Sequence, residues 1–238
     1  MRILYIAPSP ANSMGRIRTQ NIIRAMQQLG HDVTLVSFVY NDYDVIALER
    51  CKSYIADIRW VKQPKWKSLL NCFLGLLLPI PLRVSYCRSK KMSDTIERCL
   101  CEKEYDLIYI KRLRMAQYAY LGKRKGIFTI VDITDSLTKY YERIRKKEHG
   151  INKILAIEEY YKHRIYEPRI CKQNAPVVIC SEDDKNYLLD LAPELKNVIH
   201  VMNNSIEIDF WRSVNVTISA IGRRNRLTFL GVMDYAPN

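Results

Sequence analysis

The sequence predicts an α/β protein with a Rossmann-like, doubly wound and mainly parallel sheet. Two observations carry this prediction. The first 38 residues read as strand, loop, helix and strand, and apolar strands alternate with helical segments along most of the remaining chain. Parallel strands need a crossover connection, and right-handed crossovers are the rule.

The opening unit shows the pattern most clearly. Arg2–Ala7 is a short apolar run bounded by Pro8, which is typical of a buried strand, and Val33–Phe38 is a second such run. Between them lies a helix that is expected to end at Gly30. The apolar face of that helix is predicted from residues at helical spacing, namely Ile22, Ala25, Met26 and Leu29.

The loop after the first strand is a candidate binding element. Ligands of open parallel sheets lie beyond the carboxyl ends of the strands, where the first helix also offers free N–H groups. Gly15 would let a ligand approach the backbone closely, and Arg16 and Arg18 would suit a phosphate. The alternative is an ordinary turn with two solvated arginines, since neither Gly-x-Gly-x-x-Gly nor a P-loop sequence is present.

Composition narrows the class of protein. The 238 residues are 48% hydrophobic, which is ample for a core, and the formal net charge is +13. Residues 61–100 contain eight Lys or Arg and two acids, which predicts an anionic partner on one face. The seven cysteines show no metal-binding spacing and no signal peptide is visible, so a reduced, cytoplasmic location is expected.

A second informative segment runs from residue 62 to residue 91. Ser68–Leu82 carries no charge, but Pro79 and Pro81 limit it to about half the length that spans a bilayer. Tryptophan and lysine flank it, as in elements that lie on anionic lipid: Lys62, Lys65, Trp66, Lys67, Lys90 and Lys91. Two interpretations stay open, a peripheral contact with the inner face of the cell membrane and a core helix whose ends are basic.

A carboxylate follows a later strand at the same edge of the sheet. Residues 127–132 read as a buried strand, and Asp135 and Ser136 come shortly after it. A carboxylate in this crevice can act as a general base or hold a sugar hydroxyl. The alternative is helix capping, with Asp135 or Ser136 as the N-cap of a helix over Leu137–Lys147.

Residues 136–172 are predicted to form two helices, or one bent helix, with a break at Gly150 and a kink at Pro168. The tyrosines among their basic residues are interpreted as packing, so no nucleic-acid partner is expected. No His-Glu-x-x-His sequence is present, so no metal is expected either. The core face of the second helix is predicted to consist of Ile154, Ile157, Tyr161 and Ile165.

The end of the chain changes in character. Residues 1–212 are predicted to form one domain, and the polar segment 213–225 reads as a linker. Residues 226–238 then begin a fresh strand. This strand is interpreted as the first strand of a truncated C-terminal domain.

Taken in order, these motifs resemble a known family. The chain is similar to the N-terminal half of a GT-B glycosyltransferase of the family-4, retaining group, and within it to bacterial sugar transferases of cell-surface polysaccharide synthesis. The likeness spans essentially all 238 residues. The segments that carry it are RILYIAPSPANSMGRIRTQNIIRAMQQLGHDVTLVSF, YDLIYIKR, IVDITDSLTKYYER, VVICSEDDKNYLL, VIHVMNNSIEIDFW and RLTFLGVMDYAPN.

The resemblance implies a nucleotide-diphosphate sugar as co-substrate, with no other cofactor, and a glycan acceptor held by this domain. Gly15, Arg16 and Arg18 would face the donor diphosphate, and Asp135 would lie near the acceptor hydroxyl. The remaining residues expected to bind substrate are Lys111, Ser136 and Asn204.

A lipid-linked acceptor would also explain the basic apolar segment. The family's Glu-x7-Glu motif belongs to the C-terminal donor domain, so this chain alone is expected to lack the donor site and to be inactive without that domain, in cis or in trans. The alternative is a stand-alone, non-catalytic subunit that recruits a separate donor-domain protein to the membrane. The orphan strand favours the truncated enzyme, because an exposed edge strand is prone to aggregate.

Overall fold

The computed structural model describes residues 1–11, 17–174 and 176–205. The strands are β1 (Arg2–Ala7), β2 (Asp32–Val39), β3 (Asp57–Lys62), β4 (Leu107–Lys111), β5 (Phe128–Thr134), β6 (Val177–Ile179) and β7 (Ile199–Val201). The α-helices are α1 (Ile17–Gln28), α2 (Asp42–Cys51), α3 (Lys65–Leu76), α4 (Leu82–Tyr86), α5 (Lys90–Glu102), α6 (Ala119–Arg124), α7 (Leu137–Lys147), α8 (Gly150–Gln173) and α9 (Glu182–Leu191). Short 3-10 helices cover Leu113–Tyr118 and Pro193–Leu195.

The predicted fold class is confirmed. Within the described residues, the seven strands form one parallel sheet in the order β3-β2-β1-β4-β5-β6-β7. Because β1 pairs with both β2 and β4, the strand order reverses there and leaves a crevice at the carboxyl ends. The predicted linker at 213–225 and the predicted strand at 226–238 lie outside the described residues, as does the end of the predicted first domain, 206–212.

The first helix rests on the sheet through a narrower stripe than predicted. Thr19 and Ile23 are its buried residues, and Ile22 and Met26 are partly buried. Ala25 is exposed, and Leu29 is 74% exposed and lies just beyond the last helical residue, so the predicted face is half correct.

The predicted pair of helices with a break at Gly150 is confirmed as α7 and α8, but the predicted core face of α8 is wrong. Ile154, Tyr161 and Ile165 are exposed, with Ile154 at 67%, and only Ile157 of the four predicted residues is partly buried. The helix instead turns Glu159, His163 and Glu167 inward, where all three are buried. The residues at the predicted spacing therefore lie mainly on the outer face, while Tyr160, Tyr166 and Ile170 share the buried face with the polar groups.

Hydrogen bonding explains why α8 turns carboxylates inward. Glu167 accepts from the backbone N–H groups of Leu137 at 3.0 Å and Thr138 at 2.9 Å, so it satisfies the free donors at the start of α7. Glu159 accepts from the backbone N–H of Leu82 at 2.6 Å at the start of α4. Both glutamates are thus structural, and although seven residues separate them, as in the family's Glu-x7-Glu motif, they do not mark a donor site.

Helix α3 also leaves large apolar residues exposed. Its buried residues are the small ones, Ser68 and Gly75. Gly75 allows close packing on α4, since a Cβ there would collide with the Ser85 hydroxyl. The residues on its outer surface are large, apolar and exposed: Trp66, Leu69, Leu70, Phe73, Leu74 and Leu76. The interpretation of this segment as a core helix is therefore wrong.

The described helices are also too short or too polar to cross a membrane. The uncharged segment Ser68–Leu82 covers most of α3 and the connection to α4, and Pro79 and Pro81, the residues expected to limit it, lie in that connection.

Candidate functional site

A cleft of about 790 Å³ opens at the carboxyl edge of the sheet. It is lined by the start of α1, the ends of β4 and β5 with their following loops, the starts of α7 and α9, and residues 204–205. This is the edge at which open parallel sheets bind ligands. The cleft is therefore the first candidate for a functional site.

A buried ionic network lies beneath the cleft, centred on the fully buried carboxylate of Asp132 on β5. Its Oδ2 accepts from Lys111 Nζ at 2.8 Å, from the Tyr109 hydroxyl at 2.8 Å and from Arg18 Nε at 3.2 Å. Its Oδ1 accepts from the Thr134 hydroxyl at 3.0 Å. One carboxylate thus joins α1, β4 and β5.

The pKa values in this network follow from its burial and its two cations. Burial opposes ionisation of Asp132, but Lys111 and Arg18 outweigh it and hold the pKa of that carboxyl below its usual value. Burial, with the repulsion of Arg18 and Arg112, lowers the pKa of Lys111 to about 8 in spite of its ion pair. The network therefore favours the charged form of Asp132, while Lys111 releases its proton more readily than an ordinary lysine.

Arg18 also fastens the last described segment to α1. Its Nη1 donates to the carbonyl oxygen of Met202 at 2.8 Å and to Asn204 Oδ1 at 3.0 Å. Asn21, on the same helix, donates to the carbonyl oxygen of Ser205 at 2.7 Å. The chain that leaves β7 is thus tied to the floor of the cleft.

Both strand ends at the cleft adopt strained backbone conformations. Arg112 has a φ of 74° and Thr134 a φ of 71°, and a β-branched residue rarely adopts such a value. The register of β5 against β6 shifts between Asp132 and Thr134. Strain of this kind costs about 1–3 kcal/mol and concentrates at functional sites. Here it directs the chain so that Asp135 lines the cleft.

Ser136 is the helix cap, and Asp135 is left for the cleft. The Ser136 hydroxyl accepts from the backbone N–H of Lys139 at 3.3 Å as the N-cap of α7 and donates to Glu167 at 3.1 Å. Asp135 is half exposed, with Oδ2 2.9 Å from Arg112 Nη1 and Oδ1 accepting from the Cys180 thiol at 3.2 Å. Of the two capping alternatives, the structure selects Ser136.

The cleft wall is rich in arginine. Arg83, Arg114 and Arg143 line it, and none of them forms a salt bridge with a carboxylate of the described residues. The Nε of Arg114 is buried and lacks a hydrogen-bond partner among those residues. A buried donor without an acceptor is costly, so an anionic ligand would complete this wall. Lys139, by contrast, is paired with Asp183 and, at 3.1 Å, with Asp184.

The structure brings together four of the residues predicted to act at the site: Arg18, Asp135, Ser136 and Asn204 all line the cleft. Lys111 does not line it, because its ammonium group is 2.8 Å from both Asp132 and Thr134 and the residue is only 2% exposed. Its placement indicates a structural cation. Gly15 and Arg16 lie outside the described residues.

Several residues of the cleft were not found by sequence reasoning. Arg112 follows β4 directly, as Asp135 follows β5, so its position after a strand was a usable signal. Arg83 and Arg143 carried no such signal, since they reach the cleft from α4 and α7 only through the tertiary fold.

One group of potential metal ligands occurs among the described residues, namely Asp135, Cys180 and Asp184. Burial and the neighbouring Asp135 raise the pKa of the Cys180 thiol to about 12. A protonated thiol that donates to a carboxylate is a poor metal ligand. This cluster is accordingly a hydrogen-bonded support for Asp135.

The residues predicted to contact a membrane share one property, since all of them are exposed: Lys62, Lys65, Trp66, Lys67, Lys90 and Lys91. The Lys67 ammonium lies 5.3 Å from the ring centre of Trp66. Lys65, Trp66 and Lys67 form the first turn of α3, so basic groups adjoin the exposed apolar residues of that helix.

No family model matches the sequence, and no curated protein is significantly similar to it. Solved structures do share its fold. A UDP-glucosyltransferase from Polygonum tinctorium capable of glucosylating indoxyl is 8% identical, with a TM-score of 0.52 over 87% of this chain and 53% of that chain. A transferase from Siraitia grosvenorii in complex with UDP is 10% identical, with a TM-score of 0.50 over 87% of this chain and 52% of that one.

A third structure, LpCGTa in complex with UDP, is 9% identical, with a TM-score of 0.50 over 89% of this chain and 56% of that one. The chain thus spans about half the length of the solved structures it matches. At these identities the likeness establishes the fold alone. The chain has the fold of one Rossmann-like half of a GT-B glycosyltransferase.

The Asp132 network predicts a large difference between two neighbouring carboxylates. Asp132→Asn should lower the free energy of unfolding by about 3–5 kcal/mol, because it leaves buried cations uncompensated. Asp135→Asn should change it by less than about 1 kcal/mol, because its ion pair with Arg112 is partly solvated. Urea unfolding at pH 7 measures both, and equal losses would contradict the structural role of Asp132.

Proposed function

We propose that this chain is the acceptor-binding half of a glycosyltransferase of the family-4 group. The enzyme would move a sugar from a nucleotide-sugar to a lipid-linked glycan acceptor during synthesis of a bacterial cell-surface polysaccharide. The observation that carries the proposal is the cleft itself: an arginine-rich wall at the carboxyl edge of the sheet, with the half-exposed carboxylate of Asp135 held on a strained strand end.

Asp135 has the geometry of a group that meets an acceptor hydroxyl. Its carboxylate is partly solvated, lines the cleft and is oriented by Arg112 and Cys180. A carboxylate so placed can accept the hydrogen bond of a sugar hydroxyl or take its proton. Asp132 is excluded from that role by its complete burial.

The arginines of the cleft suit the diphosphate of a nucleotide-sugar. A nucleotide-sugar carries a diphosphate, and guanidinium groups bind phosphate through paired hydrogen bonds. Two of the structures that share this fold were solved with UDP, which supports a nucleotide-sugar co-substrate for this chain. We infer that the main donor contacts come from a C-terminal domain that follows the linker predicted at 213–225.

The outer surface of α3 supports a site at the membrane. Large apolar side chains with neighbouring lysines are typical of an element that lies on anionic lipid, where the apolar groups enter the interface and the lysines meet the headgroups. A peripheral position on the inner face of the cell membrane would bring the cleft to a lipid-linked acceptor. The same surface also supports the second candidate, a non-catalytic subunit that recruits a separate donor-domain protein.

Deletion of the gene in its native host tests the proposed function. We expect lipid-linked glycans that lack one sugar, detected by mass spectrometry of the lipid extract. A gene carrying Asp135→Asn should fail to restore the full glycan, since loss of a general base costs about 10²–10⁴ in rate. Asp183→Asn is the matched control, because Asp183 is also a carboxylate of the cleft but already forms an ion pair with Lys139.

An unchanged glycan after deletion would refute the glycosyltransferase assignment. Full restoration by the Asp135→Asn gene, at equal protein abundance, would instead favour the recruiting subunit, which needs no catalytic carboxylate.

Vesicle co-sedimentation tests the membrane contact. The chain should sediment with vesicles that contain anionic phosphatidylglycerol, less so at high salt, and not with neutral phosphatidylcholine vesicles. Lys65→Glu with Lys67→Glu should abolish sedimentation, whereas Arg124→Glu with Lys125→Glu, an equal charge change at the end of α6, should not. If the two double variants behave alike, α3 is not the contact surface.

A further inference from the structure

A second cavity, of about 280 Å³, lies between α4, α7 and α8. Its apolar walls are formed by Leu82, Ile144, Leu155 and Ala156. Ligand pockets usually measure about 300–1,000 Å³, so this one suits a short length of hydrocarbon and not a whole lipid.

Two carboxylates determine where an anionic group of a ligand could lie relative to this pocket. Glu148 and Glu159 both line it. Burial opposes ionisation of Glu159, but His163 and the backbone N–H of Leu82 outweigh it and hold the pKa of Glu159 below its usual value. An anionic group would be repelled from these walls, so an amphiphile with a phosphate would have to place that phosphate elsewhere.

Arg83 provides that place, because it lines both the pocket and the arginine-rich cleft. Its guanidinium lies 5.2 Å from the ring centre of Tyr140, which lines the cleft, and 5.4 Å from that of Tyr141, which lines the pocket. Stacking on two rings holds the group at the boundary. It forms no salt bridge with a carboxylate in the described part of the chain, although Glu159 on the pocket side attracts it.

The pocket adjoins exposed apolar residues of α8. Leu155 is 40% exposed and lines the pocket, and the exposed Ile151 and Ile154 lie within one turn of it. Lys162 of the same helix donates to the carbonyl oxygens of Gly75 at 2.8 Å and Leu76 at 3.2 Å, so α8 adjoins the end of α3. A hydrocarbon chain that leaves the pocket would therefore continue along an apolar surface.

We propose that Arg83 and this pocket form a subsite for a lipid phosphate. Arg83 binds the phosphate at the boundary, the first carbons of one hydrocarbon chain fill the pocket, and the group attached to the phosphate extends into the cleft toward Asp135. Arg114 and Arg143 lie on the cleft side and add positive charge there. The inference rests on the proposed function, since it specifies the chemical class of the acceptor.

Geranyl phosphate is a suitable probe, because its short chain matches the pocket and it is soluble. Calorimetric titration of the chain should show geranyl phosphate binding at least about tenfold more tightly than geraniol or inorganic phosphate, since only the first ligand uses both parts of the subsite. Arg83→Met should weaken geranyl phosphate binding by about tenfold or more and leave geraniol binding unchanged.

Two further variants separate the pocket from general effects. Leu155→Asp, at the exposed rim of the pocket, should weaken the binding of geranyl phosphate and of geraniol. It should leave the affinity for UDP unchanged. Arg169→Met is the matched control, because Arg169 also stacks on a tyrosine, 5.3 Å from the ring centre of Tyr166, but lines neither cavity. It should leave all four affinities unchanged, and equal thermal midpoints for the variants exclude unfolding as the cause.

Three results would overturn the proposal. Equal affinities for geranyl phosphate and inorganic phosphate would reduce the subsite to a phosphate site, and equal losses in the Arg83 and Arg169 variants would remove Arg83 from it. If UDP competes with geranyl phosphate, and if Leu155→Asp weakens the binding of UDP, the pocket belongs to the nucleotide. Each of these results is independent of the gene deletion, so a truncated glycan without geranyl phosphate binding would leave the proposed function standing with another acceptor.

Discussion

The structure depends on how the charge of Asp132 is neutralised. A carboxylate that is completely buried in a sheet must be paired and fully hydrogen-bonded, and here Lys111, Arg18, Tyr109 and Thr134 meet that requirement. The consequences extend outward from this point. Arg18 holds α1 against β5 and fastens residues 202 and 204, while the strained turn after Asp132 brings Asp135 to the surface of the cleft. The buried network thus positions the groups that are open to a ligand.

Two helices invert the usual arrangement of polar and apolar residues. α8 turns glutamates inward because they satisfy the free N–H groups of α7 and α4, and α3 packs through Ser68 and Gly75. In α3 the large apolar residues are left outside, whereas α8 leaves Ile154, Tyr161 and Ile165 outside but buries Tyr160, Tyr166 and Ile170. Neighbouring exposed apolar side chains are typical of interaction sites, and this supports the proposed membrane contact. The cleft and these two helices border each other through α4, which carries Arg83.

The sequence predicted the sheet well because buried parallel strands are continuous apolar runs that proline, glycine and short polar turns separate. It also placed Asp135 and Ser136 at the correct strand end. It failed on the face of α8 and left open whether α3 is buried, since periodicity shows that a helix has two faces but not which one is buried. In α8 the decisive contacts are hydrogen bonds from Glu159 and Glu167 to distant backbone groups, and no local pattern contains them. Lys111 was assigned to substrate for the same reason, because its partner Asp132 lies on another strand.

The central claim is that α3 brings an acceptor-binding cleft to a membrane, and rescue by an artificial anchor tests it most directly. In the native host, Leu70→Glu with Phe73→Glu should move the protein from the membrane fraction to the soluble fraction and leave the lipid-linked glycan one sugar short. Fusion of an unrelated transmembrane helix to the same variant should restore both the membrane position and the full glycan. A full glycan in the unanchored variant, or a truncated glycan in the anchored one, would contradict the account.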